Sequence, residues 1–404
     1  MTHISSSLRP PHRHLPPVYS PVSLQSITRG LGQLARLGGD PRPTLRALLR
    51  REYRADQVVL CGSGTQALTL AIREAGKSVD PSAPVALPAF SCFDVATAAM
   101  GNKGARISFY DVDPSTLAPD RASLARVLEA GARVVVVAPL YGVPLDVGEI
   151  EAVVKRYGGV VVEDAAQGHG AAWCGQPLGA VAAISLLSFG RGKGWTGGNG
   201  GAVLTRGTEA PGPELSEAGL RSEATTSVGL IAQWSLARAA TYSLALMIPG
   251  LGLGETVYHS PQRVRSLSRV SAANLLASHE AAKREGAVRR ANARRINEIL
   301  DSASDVELIR VPASGVAGYL RFPLLMPHRN RFVNRSDVGS LGVAASYPIT
   351  LNALPAVAGK TTGPETAWPG AEKLANRLLT LPTHSRLEER DFLALEKLFR
   401  GHRG

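Results

Sequence analysis

Three short runs carry residue types and spacings that could do chemistry. In the first, Cys61-Gly62-Ser63-Gly64-Thr65-Gln66-Ala67, a glycine-rich turn follows a β-branched run and opens a helical pattern. Such a turn aims free backbone N–H groups and the positive end of a helix at an anion, so it reads as a phosphate cradle. The same letters satisfy GxGxxA, which points to a dinucleotide enzyme when the second strand ends in an acid for the ribose hydroxyls. Residues 85–87 run instead into Pro88-Ala89-Phe90. In the second run, Val160-Val161-Val162-Glu163-Asp164-Ala165-Ala166-Gln167, an apolar strand delivers Asp164 and Gln167 to the carboxyl end of a sheet, where open α/β folds bind ligands. The plainer reading is an Asp that caps a helix. The third run is Ser188-Phe189-Gly190-Arg191-Gly192-Lys193-Gly194, followed by Thr196-Gly197-Gly198-Asn199-Gly200-Gly201. It is not a nucleotide P-loop, because Leu187 stands where the first glycine belongs and Gly194 follows the lysine. What remains is Lys193 on a glycine-rich loop, by default solvated.

The elements that must position these residues alternate short β-branched runs with amphipathic stretches from 58 to 205, the pattern of a mostly parallel sheet covered by helices. Strands are expected at 58–61, 85–87, 106–109, 133–138, 160–163, 183–188 and 201–204, and helices at 65–74 and 147–157, among others. The chain divides into an N-terminal arm (1–44), a large domain (45–206), a linker with an apolar helical segment (207–265), and a long helix (271–300) leading a smaller C-terminal α+β domain (266–404). In that last domain 308–311 and 320–325 read as strands and 388–399 as a helix. The arm carries Arg9, His12, Arg13 and His14 among prolines with no apolar run behind them, which reads as a loosely ordered segment and not a secretory signal. The apolar stretch 230–253 is interrupted by Gln233, Arg238 and Pro249-Gly250. A mid-membrane charge is costly, so a helix packed on a partner subunit or lying on a membrane surface fits better than a span.

Composition bounds the rest. At 404 residues and 44% hydrophobic, the chain can bury a large core in about two packed units. Three scattered cysteines, Cys61, Cys92 and Cys174, give neither a disulfide framework nor a zinc site, and fit a reducing cytoplasm. A net charge of +12 favours anionic partners. Its densest run, 283–295, has the composition of an exposed helix face, and no nucleic-acid module accompanies it.

Taken in order, the cradle, the acid with Gln three residues on, Ser and Lys five apart, and the glycine-rich strand resemble the DegT/StrS group of sugar aminotransferases. These are pyridoxal-phosphate enzymes of fold type I. The resemblance runs from about Leu45 to the C-terminus, where Leu378-Leu379-Thr380-Leu381-Pro382-Thr383-His384 is similar to that family's closing motif. It implies a three-layer α/β fold with a smaller C-terminal domain, a homodimer, and pyridoxal 5'-phosphate as cofactor. It makes Lys193 the lysine that holds the cofactor covalently and Asp164 the carboxylate paired with the pyridine nitrogen, the two catalytic residues. Gln167 falls beside the ring's phenolic oxygen, and Gly64, Thr65 and Ser188 fall where the phosphate is held. An Asp against the ring nitrogen keeps it protonated, so that the ring accepts electrons. A lysine tied to the cofactor or desolvated can carry a proton between substrate and cofactor carbons.

The chain departs from the family pattern in two places. The ring-stacking aromatic should fall near Cys92, where Phe90 and Phe93 are the aromatics at hand, and Phe93 is counted among the cofactor-binding residues. The partner-subunit asparagine expected before an Arg-Met-Ser-like segment is replaced by Leu267-Ser268-Arg269-Val270-Ser271. His169 and His384 read as structural, since the chemistry needs no histidine once a lysine is present. The resemblance implies amino transfer, with glutamate as donor, to a keto-sugar, nucleotide-linked, or to a cyclitol, in polysaccharide, glycolipid or secondary-metabolite synthesis. The rival readings are a non-catalytic relative that binds a membrane or partner through 230–253, and a nicotinamide oxidoreductase resting on GxGxxA.

Overall fold

The computed structural model describes residues 13–400 apart from 37, 208–212, 214, 249–255, 302, 304, 365 and 366, with the backbone alone at 336. Its centre is a seven-stranded sheet of β1 (Gln57–Cys61), β2 (Val85–Pro88), β3 (Ile107–Tyr110), β4 (Val134–Val137), β5 (Val160–Asp164), β8 (Ile184–Ser188) and β9 (Gly201–Thr205), in the order β1-β9-β8-β5-β4-β2-β3. The strands are continuous apolar runs because helices cover both faces. Val134–Val137 is buried at every position, as expected of a parallel strand with no solvent face. The pairs β2/β3, β2/β4, β4/β5 and β5/β8 are parallel, and β9 is antiparallel to both β8 and β1. Two reversals restore direction, so β1 points the same way as β5 and β8. The carboxyl ends of the three strands, Cys61, Asp164 and Ser188, therefore gather on one edge of the sheet.

The crossover helices α3 (Gly64–Gly76), α4 (Phe93–Met100), α5 (Arg121–Glu129) and α6 (Val147–Arg156) follow α1 (Leu24–Leu34) and α2 (Arg42–Tyr53) in the chain. A short sheet of β6 (Ala172–Trp173), β7 (Gln176–Pro177) and β11 (Gly315–Val316) joins the two halves of the chain. The expected long helix is Arg269–Leu300 (α9), capped by Ser268, whose side chain accepts the Ser271 N–H; it packs against α1, α2, α7 (Leu220–Leu236) and the last helix, Glu389–Arg400. Beyond it, β10 (Glu307–Leu308), β12 (Phe322–Leu325), β13 (Ala344–Ala345) and β14 (Leu378–Leu381) form an antiparallel sheet in the order β10-β12-β14-β13. Its separate core includes Phe322, Leu324, Phe332, Leu379 and Phe392.

Three expectations are corrected. The strand expected at 308–311 stops at Leu308, because Arg310 leaves the ladder and donates its backbone N–H to Ser115 of the large domain, 2.8 Å away. The strand expected at 320–325 begins only at Phe322, since Leu320 N–H is drawn to the Tyr141 carbonyl at 2.9 Å. Arg9 and His12 lie outside the described residues, but the part of the arm that is described, from Arg13, is docked. Leu15 is 1% exposed and its N–H bonds Ser340 O, Arg13 pairs with Asp391 and Glu388, and Arg321 and His384 hold the Pro17 and Pro16 carbonyls.

The apolar stretch is two helices. The first, α7, starts at Leu220; the second, α8, spans Ala239–Leu246, and the chain turns extended at Arg238, whose guanidinium lies 4.0 Å over the Trp234 ring. Pro249, Gly250 and the end of the stretch lie outside the described residues. Among the described residues no helix is long and apolar enough to cross a membrane, although Val228 and Ile231 on α7, Leu244 on α8 and Met247 at its end are exposed.

Candidate active site

The strand ends build the site by register. Cys61 and Ser188 both stand opposite Gly201, one on each side of β9, which brings the turn after β1 against the end of β8. Ser63 caps α3, its Oγ accepting the Gln66 N–H at 3.1 Å, so the first turn of the helix opens beside Ser188. A Cβ on Gly64 would stand 2.3 Å from Ser188 Oγ and 2.6 Å from Ser188 Cβ; only glycine fits there. The result is a set of N–H groups at a positive helix end with a hydroxyl facing it, the expected anion cradle.

Alternation along β5 separates its two acids. Glu163 turns to the covered face, fully buried, where it accepts the N–H groups of Gly179 at 2.6 Å, Ala182 at 3.2 Å and Val181 at 3.3 Å. Asp164 turns toward the strand-end cavity, where its Oδ1 accepts the Ala166 N–H at 3.0 Å. Burial pushes the Asp164 carboxyl up, opposed by the Lys193 charge and the Ala166 N–H, while Asp94 adds to the rise. Three residues on, the Gln167 amide is committed at both ends: its Oε1 accepts the Tyr141 N–H at 2.8 Å and its Nε2 donates to the Tyr347 hydroxyl at 2.9 Å.

Lys193 sits in a loop closed at its base by Phe189, whose N–H bonds Gly200 O and whose O takes the Gly197 N–H. Downstream the loop is tied to α9, Asn274 donating to Thr196 O at 2.8 Å and Trp195 Nε1 to Leu275 O at 3.1 Å. From the other side the arm's Ser20 Oγ donates to Lys193 O at 2.6 Å. Among the described residues no carboxylate pairs with the Lys193 amine, which is near enough to act on Asp164 and Cys92.

An inner cavity of about 210 Å³ is lined by Gly64, Thr65, Asp164, Gln167, Ser188 and Lys193, among others. It meets an outer one of about 380 Å³ at Gln167, Arg191 and Lys193. All but one of the sequence-expected site residues thus share one cavity. The exception is Phe93. Cys92 is the N-cap of α4, and Phe93, its first residue, is rotated into the large-domain core at 5% exposure; Phe90 is buried against Tyr347, with ring centroids 5.6 Å apart. The wall at this place is Ser91, Cys92 and Asp94, with the Cys92 thiol pushed up to about 12 by burial. Ser91 Oγ, on a residue 1% exposed, has no hydrogen-bond partner among the described residues.

His169 and His384 line neither cavity. Burial lowers His169 to about 4 and His384 to about 3; His169 packs on Trp195, and His384 Nε2–H donates to Pro16 O at 2.8 Å. Among the described residues no cluster of His, Cys, Asp or Glu is arranged to hold a metal ion. The sequence reading missed Tyr141, held at a left-handed φ of 57°, and Tyr347. Tyr347 hydrogen-bonds Gln167 from 180 residues away, a pairing that no local spacing could announce.

The model of the DegT/DnrJ/EryC1/StrS aminotransferase family matches residues 35–219 and 255–395, and the chain belongs to that family. Among curated relatives it is 33% identical over 172 residues to a pleiotropic regulatory protein of Geobacillus stearothermophilus, covering 42% of this chain and 45% of that one. It is 30% identical over 190 residues to the 3-amino-5-hydroxybenzoate synthase of Amycolatopsis mediterranei, covering 46% and 48%. With the L-glutamine:2-deoxy-scyllo-inosose aminotransferase of Streptomyces kanamyceticus it shares 32% identity over 153 residues, 38% of this chain and 35% of the relative. The chain thus spans less than half the length of these relatives. In structure it is similar to the sugar aminotransferase CalS13 of Micromonospora echinospora, with a TM-score of 0.74, 23% identity, and coverage of 96% of this chain and 100% of the other. A family aminotransferase from Brucella abortus gives 0.73 and 23%, covering 94% and 96%. The fold is the type I fold of pyridoxal-phosphate-dependent transferases.

Proposed function

We propose that the protein is a pyridoxal-phosphate-dependent aminotransferase that moves an amino group from glutamate or glutamine to the ketone of a cyclic polyol, a keto-sugar or a cyclitol. The observation that carries this reading is the single cavity in which Lys193, Asp164, the Gly64–Thr65 turn and Ser188 meet. The residues suit such a cofactor: the cradle is open only because position 64 lacks a Cβ, and among the described residues the buried Ser91 hydroxyl has no partner and Lys193 is the basic side chain that lowers Asp164.

When bound, the cofactor supplies an electron-withdrawing ring that stabilises negative charge on the substrate carbon. The chain's residues do the rest. The backbone N–H groups at Gly64 and Thr65 and the Ser188 hydroxyl would hold its phosphate oxygens at the helix end. Asp164, as a carboxylate facing the ring nitrogen, would hold a proton there, its negative charge favoured by Lys193 and the Ala166 N–H against the cost of burial. The Lys193 amine would be the group that holds the cofactor, and it would be placed to carry a proton to or from the reacting carbon. Gln167, its amide fixed by Tyr141 and Tyr347, would line the ring's side of the cavity in one orientation. Relatives named for an inosose and for an aminohydroxybenzoate support a cyclic acceptor, and family membership weighs against a nicotinamide enzyme. The test is the half-reaction. Protein loaded with pyridoxal phosphate should lose its visible absorbance on addition of L-glutamate and regain it with a keto-sugar or inosose, whereas Lys193→Ala should do neither; a wild type that binds no cofactor refutes the reading.

A further inference from the structure

The two cavities meet at Gln167, Arg191 and Lys193, and of these only Arg191 has no task yet. The Gln167 amide is spent on Tyr141 and Tyr347. The other guanidinium lining the outer cavity, Arg321, is unavailable, because it is buried and already donates to Pro17 O, Gly342 O and Thr380. Arg191 is exposed, and no acidic side chain pairs with it among the described residues.

Its loop is turned and held. Gly192 takes a φ of 78°, the left-handed region, so the chain reverses between Arg191 and Lys193, and Val18 of the arm packs where a side chain at 192 would begin, 3.0 Å from that point. With the Ser20 bond to Lys193 O, the arm fixes the backbone from which both cationic side chains leave. The Arg191 charge reaches the Tyr242 phenol, which lines the outer cavity, and partly offsets the rise that burial gives it. Arg191 thus presents an open, unpartnered guanidinium to the outer cavity, two residues from the reacting amine.

We propose that Arg191 anchors the carboxylate that the amino donor carries on its reacting carbon, and so selects amino acids as donors. The inference rests on the aminotransferase reading above and names the donor's recognition in the same site. An α-carboxylate is bonded to the carbon whose nitrogen reacts, so its anchor must lie within side-chain reach of Lys193, as Arg191 does. A phosphate on a keto substrate sits several bonds further from the reacting carbon. A guanidinium fork also suits a planar carboxylate, which it can bind through two parallel N–H bonds.

The experiment titrates glutarate, an unreactive dicarboxylate, its neutral diamide, and UDP into wild type, Arg191→Gln and Arg191→Lys, with pyridoxal phosphate binding followed by absorbance in the same samples. The expected result is saturable glutarate binding to wild type, weakened at least about tenfold in Arg191→Gln, the share of a charge-assisted hydrogen bond. Arg191→Lys should recover part of the loss, while diamide, UDP and cofactor binding stay unchanged. Equal glutarate affinity in wild type and Arg191→Gln, no saturable binding to wild type, or loss of UDP binding alone each overturn the proposal. Failure of the wild type to take up pyridoxal phosphate is a separate outcome; it sinks the aminotransferase reading and with it the donor role assigned here.

Discussion

Replacing Gly64 by Ala tests the geometry of the cradle. The added methyl would lie 2.3 Å from Ser188 Oγ, 2.6 Å from Ser188 Cβ and 3.4 Å from Ser188 Cα. Turning the hydroxyl away removes only the first conflict, because the Cβ is fixed to a strand held in the ladder opposite Gly201. The backbone of the turn or of β8 must therefore shift, at a cost of about 1–3 kcal/mol for overpacking. Any shift also moves the N–H groups that face the phosphate, and a lost charge-assisted bond of about 1.5–3 kcal/mol weakens the cofactor by roughly 10- to 150-fold. Urea unfolding of the cofactor-free protein gives the first quantity and absorbance titration with pyridoxal phosphate the second. Ser188→Ala in the Gly64→Ala background should restore little, since the Cβ remains. Ser188→Gly should restore stability in part, less the roughly 0.5–1 kcal/mol that glycine costs in a strand. If Gly64→Ala unfolds at the wild-type midpoint and holds the cofactor as tightly, the argument from close approach is wrong.

Two further predictions concern charge. Asp164→Asn removes a carboxylate that burial disfavours, so the cofactor-free variant should melt above the cofactor-free wild type near pH 7. The same variant should slow the glutamate half-reaction at least about 100-fold; a lower melting point or an unchanged rate contradicts the assigned role. The lowered His384 works in acid: the folded state holds it neutral to about pH 3 against an ordinary value of 6.5. The unfolded chain binds the extra proton within that window, so stability is full above about pH 6.5 and falls as pH drops toward 3, by on the order of 4 kcal/mol. His384→Gln, which can still donate to Pro16 O, should flatten that slope in urea unfolding measured between pH 6.5 and 4.

Much of the large domain is legible in the sequence because its strands are buried on both faces, and such strands must be unbroken Val- and Leu-rich runs between glycines. The cradle, the strand-end acid and the lysine loop are legible for the same reason: each follows directly from a strand, so a short run of letters fixes where it points. Phe93 was not, because whether a side chain faces cavity or core depends on which residue starts α4, a matter of one position. Cys92 takes the cap and Phe93 turns inward. Nor was the arm. Its prolines and charges look unstructured, yet it docks because buried Arg289, Arg321 and His384, from distant parts of the chain, each hold one of its carbonyls. Tyr347 likewise reaches Gln167 only through the packing of the small domain on the large one.

Covalent attachment of the cofactor at Lys193 is tested most directly by borohydride reduction of the pyridoxal-phosphate-loaded protein followed by peptide mass mapping. A pyridoxyl-phosphate mass increment confined to the Lys193 peptide, and absent from Lys193→Ala, is the result expected. An increment on another lysine, or none, would contradict the account.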